Sequence, residues 1–250
     1  MKAVYNRLII MNKTLLEKNF AIRGLIKEKS PFHEEETTRI LNKFFNKIPN
    51  SVRILVDRHE FDKKKVLDIG CMYGQTLLYW GKDSEGVDIY EPAVKFLTSL
   101  GVGINLFDVE NGFNKLDKRQ YEAIYSNNLV EHLIAPHLFL TRLHTLLEPQ
   151  SILALGVPLL PAFTFILWKL FGFRGWLAKE HINFFTFKTM KLTLERAGFE
   201  VLEVWSPGLY KFSRFLSRVS VGLTPHCLFI CRKVENFKYG TITTSRYSLS

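Results

Sequence analysis

The chain has 250 residues, 47% hydrophobic and 23% charged, enough apolar chain for one sizeable core, which excludes a chain disordered overall. Its three cysteines, Cys71, Cys227 and Cys231, exclude a disulfide framework, and a cytoplasmic setting is the expectation because the charged first thirty residues show no secretory-signal pattern. The net charge of +10 is uneven, +7 over residues 1–65, −3 over 66–205 and +6 over 206–250, so basic flanks enclose a slightly acidic body and point to an anionic neighbour, of which a membrane surface is favoured over nucleic acid.

In chain order, Leu and Ile recur at helical spacing through the first 29 residues, and Ser30-Pro31 stops the pattern because the residue before proline is biased out of the helical region. A second amphipathic helix is predicted from Glu34 to Ile48, with Ile40, Leu41, Phe44, Phe45 and Ile48 on one stripe. The apolar run Val66-Leu67-Asp68-Ile69 then reads as a strand that enters the turn Gly70-Cys71-Met72-Tyr73-Gly74. A helix is predicted from Gln75 to Trp80, and a second strand ends at Asp88. In an open α/β sheet such a turn lies at the carboxyl end of the first strand, where main-chain N–H groups and a helix N-terminus receive a nucleotide-like ligand. An acidic side chain ending the next strand is placed to accept ribose hydroxyls.

The glycine spacing narrows the ligand. No G-x-G-x-x-G occurs, which argues against a nicotinamide dinucleotide, and no G-x-x-x-x-G-K-[ST] occurs, which removes the usual phosphate-cradling loop. The stretch Asp68-Ile69-Gly70-Cys71-Met72-Tyr73-Gly74 resembles motif I of the class I S-adenosylmethionine-dependent methyltransferases, D-x-G-C-G-x-G, with Met72 at the middle glycine. A side chain there crowds close cofactor approach at one backbone position, and a residue with negative φ would be tolerated.

Glu91-Pro92 opens a helix through Leu100, and Ile104 to Phe107 forms a third strand closed by Asp108. A fourth strand, Ala123 to Ser126, runs into Asn127-Asn128-Leu129-Val130-Glu131-His132, which resembles the family's motif IV. If that stretch is helical, Asn128, Glu131 and His132 share one face. Relatives with E-x-x-E-H bind a divalent metal; with Asn128 in place of the first glutamate, no metal is expected here. A helix from Leu138 to Leu147 and a fifth strand from Ile152 to Val157 follow. Residues 158–180 form an apolar insertion that reads as a lid over a greasy substrate, a buried arm or an interfacial helix, with core or lid burial favoured over membrane contact. Glu180-His181-Ile182-Asn183-Phe184-Phe185-Thr186 precedes a helix with Thr186 as N-cap and Gly198 as stop. This block resembles the H-x-x-F-[FW]-[ST] segment of bacterial methyltransferases acting on sugars, lipids, quinones and other small molecules. Val201 to Val204 and Cys227 to Cys231 read as the sixth and seventh strands, and residues 236–250 as a loose tail.

The resemblance implies an α/β chain with a Rossmann-like, doubly wound, seven-stranded sheet, mostly parallel with an antiparallel last strand. It divides the chain into a helical cap (1–64), a cofactor-binding domain (65–235) and the tail. It implies S-adenosylmethionine as cofactor, held by Asp68, Gly70, Cys71, Met72, Gly74, Asp88, Ile89, Asp108, Val109 and Asn127. It also implies catalytic positions at Glu131, His132 and His181, and transfer of a methyl group to an oxygen, less readily a nitrogen, of a small-molecule, sugar or lipid-linked acceptor. The competing expectation is a non-catalytic module of the same fold that uses its basic flanks on a membrane or RNA.

Overall fold

The computed structural model describes residues 2–116, 119–160, 180–210, 214–219 and 224–237, with the backbone alone for residues 2–12, 214 and 219. Seven strands form one sheet in the order β3-β2-β1-β4-β5-β7-β6, and the chain divides into two compact units, residues 1–108 and 109–250.

The first unit begins with three helices, α1 (Lys2–Lys29), α2 (Glu34–Phe44) and α3 (Asn50–His59). The helix expected through Ile48 stops at Phe44, where the Arg23 guanidinium of α1 donates to the Phe45 carbonyl at 3.0 Å and satisfies a helix-end acceptor. Helix α3 has no counterpart in the sequence reading. Its apolar residues Val52, Ile54 and Leu55 are fully buried, and burial on this scale outweighs the weak helix propensity of Val and Ile. Strands β1 (Val66–Ile69), β2 (Glu85–Asp88) and β3 (Gly103–Leu106) are parallel, pairing Leu67 with Glu85 and Glu85 with Gly103. Helix α4 (Glu91–Ser99) links β2 to β3 and buries Phe96 and Leu97 completely.

The second unit holds β4 (Tyr121–Asn127), α5 (Pro136–Leu146), β5 (Leu147–Pro158), α6 (Phe187–Arg196), β6 (Phe199–Trp205), α7 (Arg214–Val219) and β7 (His226–Lys233). β4 and β5 are parallel, and β7 runs antiparallel between β5 and β6, so the expected sheet and its antiparallel last strand are observed. β5 starts earlier than expected and takes Glu148-Pro149-Gln150 into the strand, with Gln150 at φ 61° and a register shift opposite Tyr121. Cys227 to Cys231 are all fully buried, and all three cysteines are free thiols. Thr186 caps α6 through a capping box with Thr189, and Gly198 follows with φ 91°. The apolar insertion falls largely on residues 161–179 and the tail on 238–250, both outside the described residues. Among the described residues no helix is long and apolar enough to cross a membrane.

Candidate active site

The motif turn grows out of the β1–β2 ladder. Gly70 N–H donates to the Val87 carbonyl at 2.8 Å, and Gly74 N–H closes on the Cys71 carbonyl at 2.8 Å. Three residues of the turn take positive φ: Gly70 at 74°, Met72 at 44° and Gly74 at 72°. Met72 thus does not take the negative φ under which its side chain would be tolerated without strain. The turn needs a left-handed residue at each of these alternate positions, and methionine accepts that strain at about 1–2 kcal/mol. What holds Met72 there is Asp88, whose Oδ2 accepts the Met72 N–H at 2.7 Å while Oδ1 accepts the Tyr90 N–H at 2.8 Å.

The expected helix from Gln75 to Trp80 is also corrected: these residues contribute a single 3-10 turn, Leu77–Tyr79, and supply no extended helix dipole for an anion. The cause is a buried polar anchor. Asp68, 1% exposed, accepts from Thr76 Oγ1 at 2.6 Å and from the Trp80 indole N–H at 2.9 Å, which pulls both residues back onto β1. Burial pushes the Asp68 carboxyl up to about 7 against those two donors. The Lys18 ammonium of α1 donates to the Tyr79 and Trp80 carbonyls at 2.6 and 3.2 Å, and the Tyr79 hydroxyl donates to Asn19 at 2.6 Å. Tyr73 packs its ring against Phe44, Phe96 and Tyr90, with centroids 5.1, 5.4 and 6.0 Å away. Beside it a cavity of about 250 Å³ is lined by Arg39, Ile40, Lys43, Phe44, Met72, Tyr73 and Tyr90. No residue spacing announced Thr76, Trp80, Arg39, Lys43 or Tyr90 as part of this site.

Cys71 is buried, and burial raises its thiol well above the ordinary range, so it is a packing group rather than a nucleophile. Ile89 is 69% exposed. Asp108, half-buried, follows β3, while Val109 and Asn127 belong to the second unit. The Asn127 side chain is fixed by two neighbours that the sequence did not reveal. Its Oδ1 lies 3.0 Å from His226 Nε2, and Gly156 leaves the space it fills, since a β-carbon at Gly156 would overlap Asn127 Oδ1. Burial lowers His226 to about 4, so its ring is neutral and donates.

Glu131 and His132 lie on a single 3-10 turn, Val130–His132, and Asn128 takes φ 53°. The shared helix face expected for Asn128, Glu131 and His132 is thus replaced by a different grouping. The Glu131 carbonyl accepts the N–H groups of Ile182 and Asn183 at 3.1 and 3.0 Å, and Asn183 Nδ2 donates to the Leu133 carbonyl at 2.6 Å. These bonds bring His181 to the turn. His132 Nε2 and His181 Nε2 lie 3.7 and 4.0 Å from Glu131 Oε1, and their rings meet edge to face at 4.9 Å. Glu131 is 1% exposed, and burial raises its carboxyl above the ordinary value. His181 is lowered, first by burial and then by His132.

The Methyltransferase domain family matches residues 35–204, and the chain belongs to that family. Solved structures share the architecture. A SAM dependent methyltransferase from Archaeoglobus fulgidus superposes with TM-score 0.55 at 19% identity over 78% of this chain and 99% of that one. An S-adenosylmethionine-dependent methyltransferase from Clostridium acetobutylicum does so with TM-score 0.58 at 10% identity over 80% and 98%. Magnesium protoporphyrin IX methyltransferase from Synechocystis, solved with bound SAH, gives TM-score 0.51 at 18% identity over 73% and 80%. At such identities the likeness establishes the fold. No curated protein sequence matches the chain.

Proposed function

We propose that this chain uses S-adenosylmethionine to methylate an oxygen of a small-molecule, sugar or lipid-linked acceptor. The observation that carries the reading is Asp88. At the carboxyl end of β2, its carboxylate is aimed at the motif turn and grips that turn's own Met72 N–H, where a ribose is bound in sheets of this kind. A carboxylate has about four acceptor directions, so two ribose hydroxyls can join the two main-chain donors. The turn Gly70 to Gly74, whose Gly70, Cys71, Met72 and Gly74 N–H groups are held by Val87, Asp88 and Cys71, runs as a rigid rim along the methionine moiety, and the walls given by α2, Tyr73 and Tyr90 shield the nucleoside from water.

Methyl transfer from a sulfonium is an in-line displacement for which the protein supplies alignment and dehydration. The acceptor hydroxyl must lose its proton as the new bond forms, and Glu131, His132 and His181 are the groups available for it. Neutral His181 is suited to accept that proton. The reading is tested by calorimetry with S-adenosylmethionine and its demethylated product, followed by intact-mass detection of an added CH₂ in a panel of metabolites, glycans and lipids. Binding plus one methylated product is the expected result, and no heat for either nucleoside would defeat it. Cofactor heat without any product, together with salt-sensitive lipid association, would favour the non-catalytic module.

A further inference from the structure

Three residues on neighbouring strands meet at the carboxyl ends of β4 and β5. Asn127 ends β4 and pairs with Gly156 on β5, while His226 opens β7 opposite Pro158. Asn127 lays its amide across Gly156, where any β-carbon would overlap Oδ1, and Oδ1 lies 3.0 Å from His226 Nε2. The main chain at His226 is fixed as well. Leu159 N–H donates to the Pro225 carbonyl at 2.8 Å, and the Thr224 hydroxyl lies 3.3 Å from the His226 carbonyl.

This bonding settles which atoms remain for a ligand. An amide oxygen only accepts, so His226 Nε2 carries the hydrogen, and its neutral ring keeps a lone pair on Nδ1. Asn127 has its oxygen engaged and two Nδ2 hydrogens left to give. Both side chains are half-buried. Among the described residues none bonds Asn127 Nδ2 or His226 Nδ1, and neither atom is sealed from solvent. A carboxylate or phosphate would oppose the His226 lone pair, and an ammonium would oppose the Asn127 hydrogens. Hydroxyl groups, which both accept and donate, match the two together. The place is also right, because ligands of open α/β sheets bind outside the carboxyl ends of the strands.

We propose that Asn127 and His226 form a subsite for the hydroxyl groups of a neutral polyhydroxylated compound, such as a sugar ring, with Asn127 Nδ2 donating to an oxygen and His226 Nδ1 accepting a hydroxyl hydrogen. The inference rests on the methyltransferase reading only in making that compound the methyl acceptor. It gives the Asn127 side chain to the acceptor instead of the cofactor, and it makes Gly156 a requirement of the subsite, since Gly156 leaves the amide its place.

The test uses the full-length chain labelled with ¹⁵N, with and without saturating S-adenosylhomocysteine. The Asn127 side-chain amide signals, assigned by their loss in Asn127→Asp, are followed while methyl glycosides of glucose, galactose and rhamnose are added. We expect saturable shifts with Kd of about 10 mM or below for at least one glycoside. Its fully O-methylated form has no hydroxyl hydrogen and should bind about 5-fold or more weakly. His226→Gln puts an amide where Nε2 stood, so it keeps a donor to Asn127 and removes the Nδ1 lone pair. At unchanged Tm it should weaken the glycoside by about 5-fold or more. His226→Phe, which frees the Asn127 amide to turn, should weaken it at least as much. No saturable shift up to about 100 mM glycoside, equal binding of the O-methylated form, or full binding by His226→Gln overturns the proposal. Calorimetry with S-adenosylhomocysteine keeps the two readings apart. Nucleoside heat without glycoside binding overturns the subsite and leaves the methyltransferase reading standing, while glycoside binding without nucleoside heat supports the subsite and defeats that reading.

Discussion

Asp88 performs two tasks with one carboxylate. It accepts the Met72 and Tyr90 N–H groups, and in the proposed complex it also accepts the ribose. Asp88→Ala should therefore remove two charge-assisted bonds to the nucleoside, each worth about 1.5 kcal/mol or more. A roughly 100-fold loss of S-adenosylhomocysteine affinity by calorimetry is expected; unchanged affinity would count against the placement. Met72, at φ 44°, gives a second residue-level expectation. Met72→Gly should leave unfolding free energy unchanged or raise it by up to about 1 kcal/mol, since relief of left-handed strain is set against the greater freedom of glycine in the unfolded chain. Met72→Val should lower it by about 1 kcal/mol or more, because β-branching at positive φ adds to the strain. Urea melts of the three proteins decide the order.

Among the elements, those set by local pattern were legible and those set by distant polar contacts were not. The strands 66–69 and 226–233 follow from short apolar runs, and α6 from a cap that its own four residues complete. Thr186→Ala should accordingly cost about 1 kcal/mol in thermal or urea unfolding. Residues 75–80 misread because their apolar period is helical while their geometry answers to Asp68, whose hold on Thr76 and Trp80 no periodicity encodes. The candidate site divides the same way. Glu131-His132 and His181 stand out in the sequence as residue types, but their meeting depends on main-chain bonds from Ile182 and Asn183 to Glu131, across about fifty residues. The partnership of Asn127 with Gly156 and His226 is likewise visible only in three dimensions. Gly156→Ala should displace the Asn127 side chain, seen as a lower Tm and a changed His226 imidazole resonance in NMR.

At the scale of the molecule, the net charge of +10 makes any association with anionic surfaces salt-dependent, but the sharper dependence is on pH through Asp68. Its folded-state carboxyl titrates near 7 against an ordinary value of 3.8. Between those values the folded chain holds a proton that the unfolded chain has released, so stability falls as pH rises from about 4 to about 7. Asp68→Asn should flatten that part of the stability profile, measured by urea unfolding across the window; an unaltered slope would show that the group is ionised throughout.

The bonds from Lys18 and Asn19 to Tyr79 and Trp80 tie the first helix to the segment that follows the motif turn, despite the sixty residues of chain between them. Trimming that helix to obtain a shorter fragment would take the Lys18 and Asn19 partners from a buried phenol and two carbonyls, and so loosen the segment behind the motif turn at a distance from the cut.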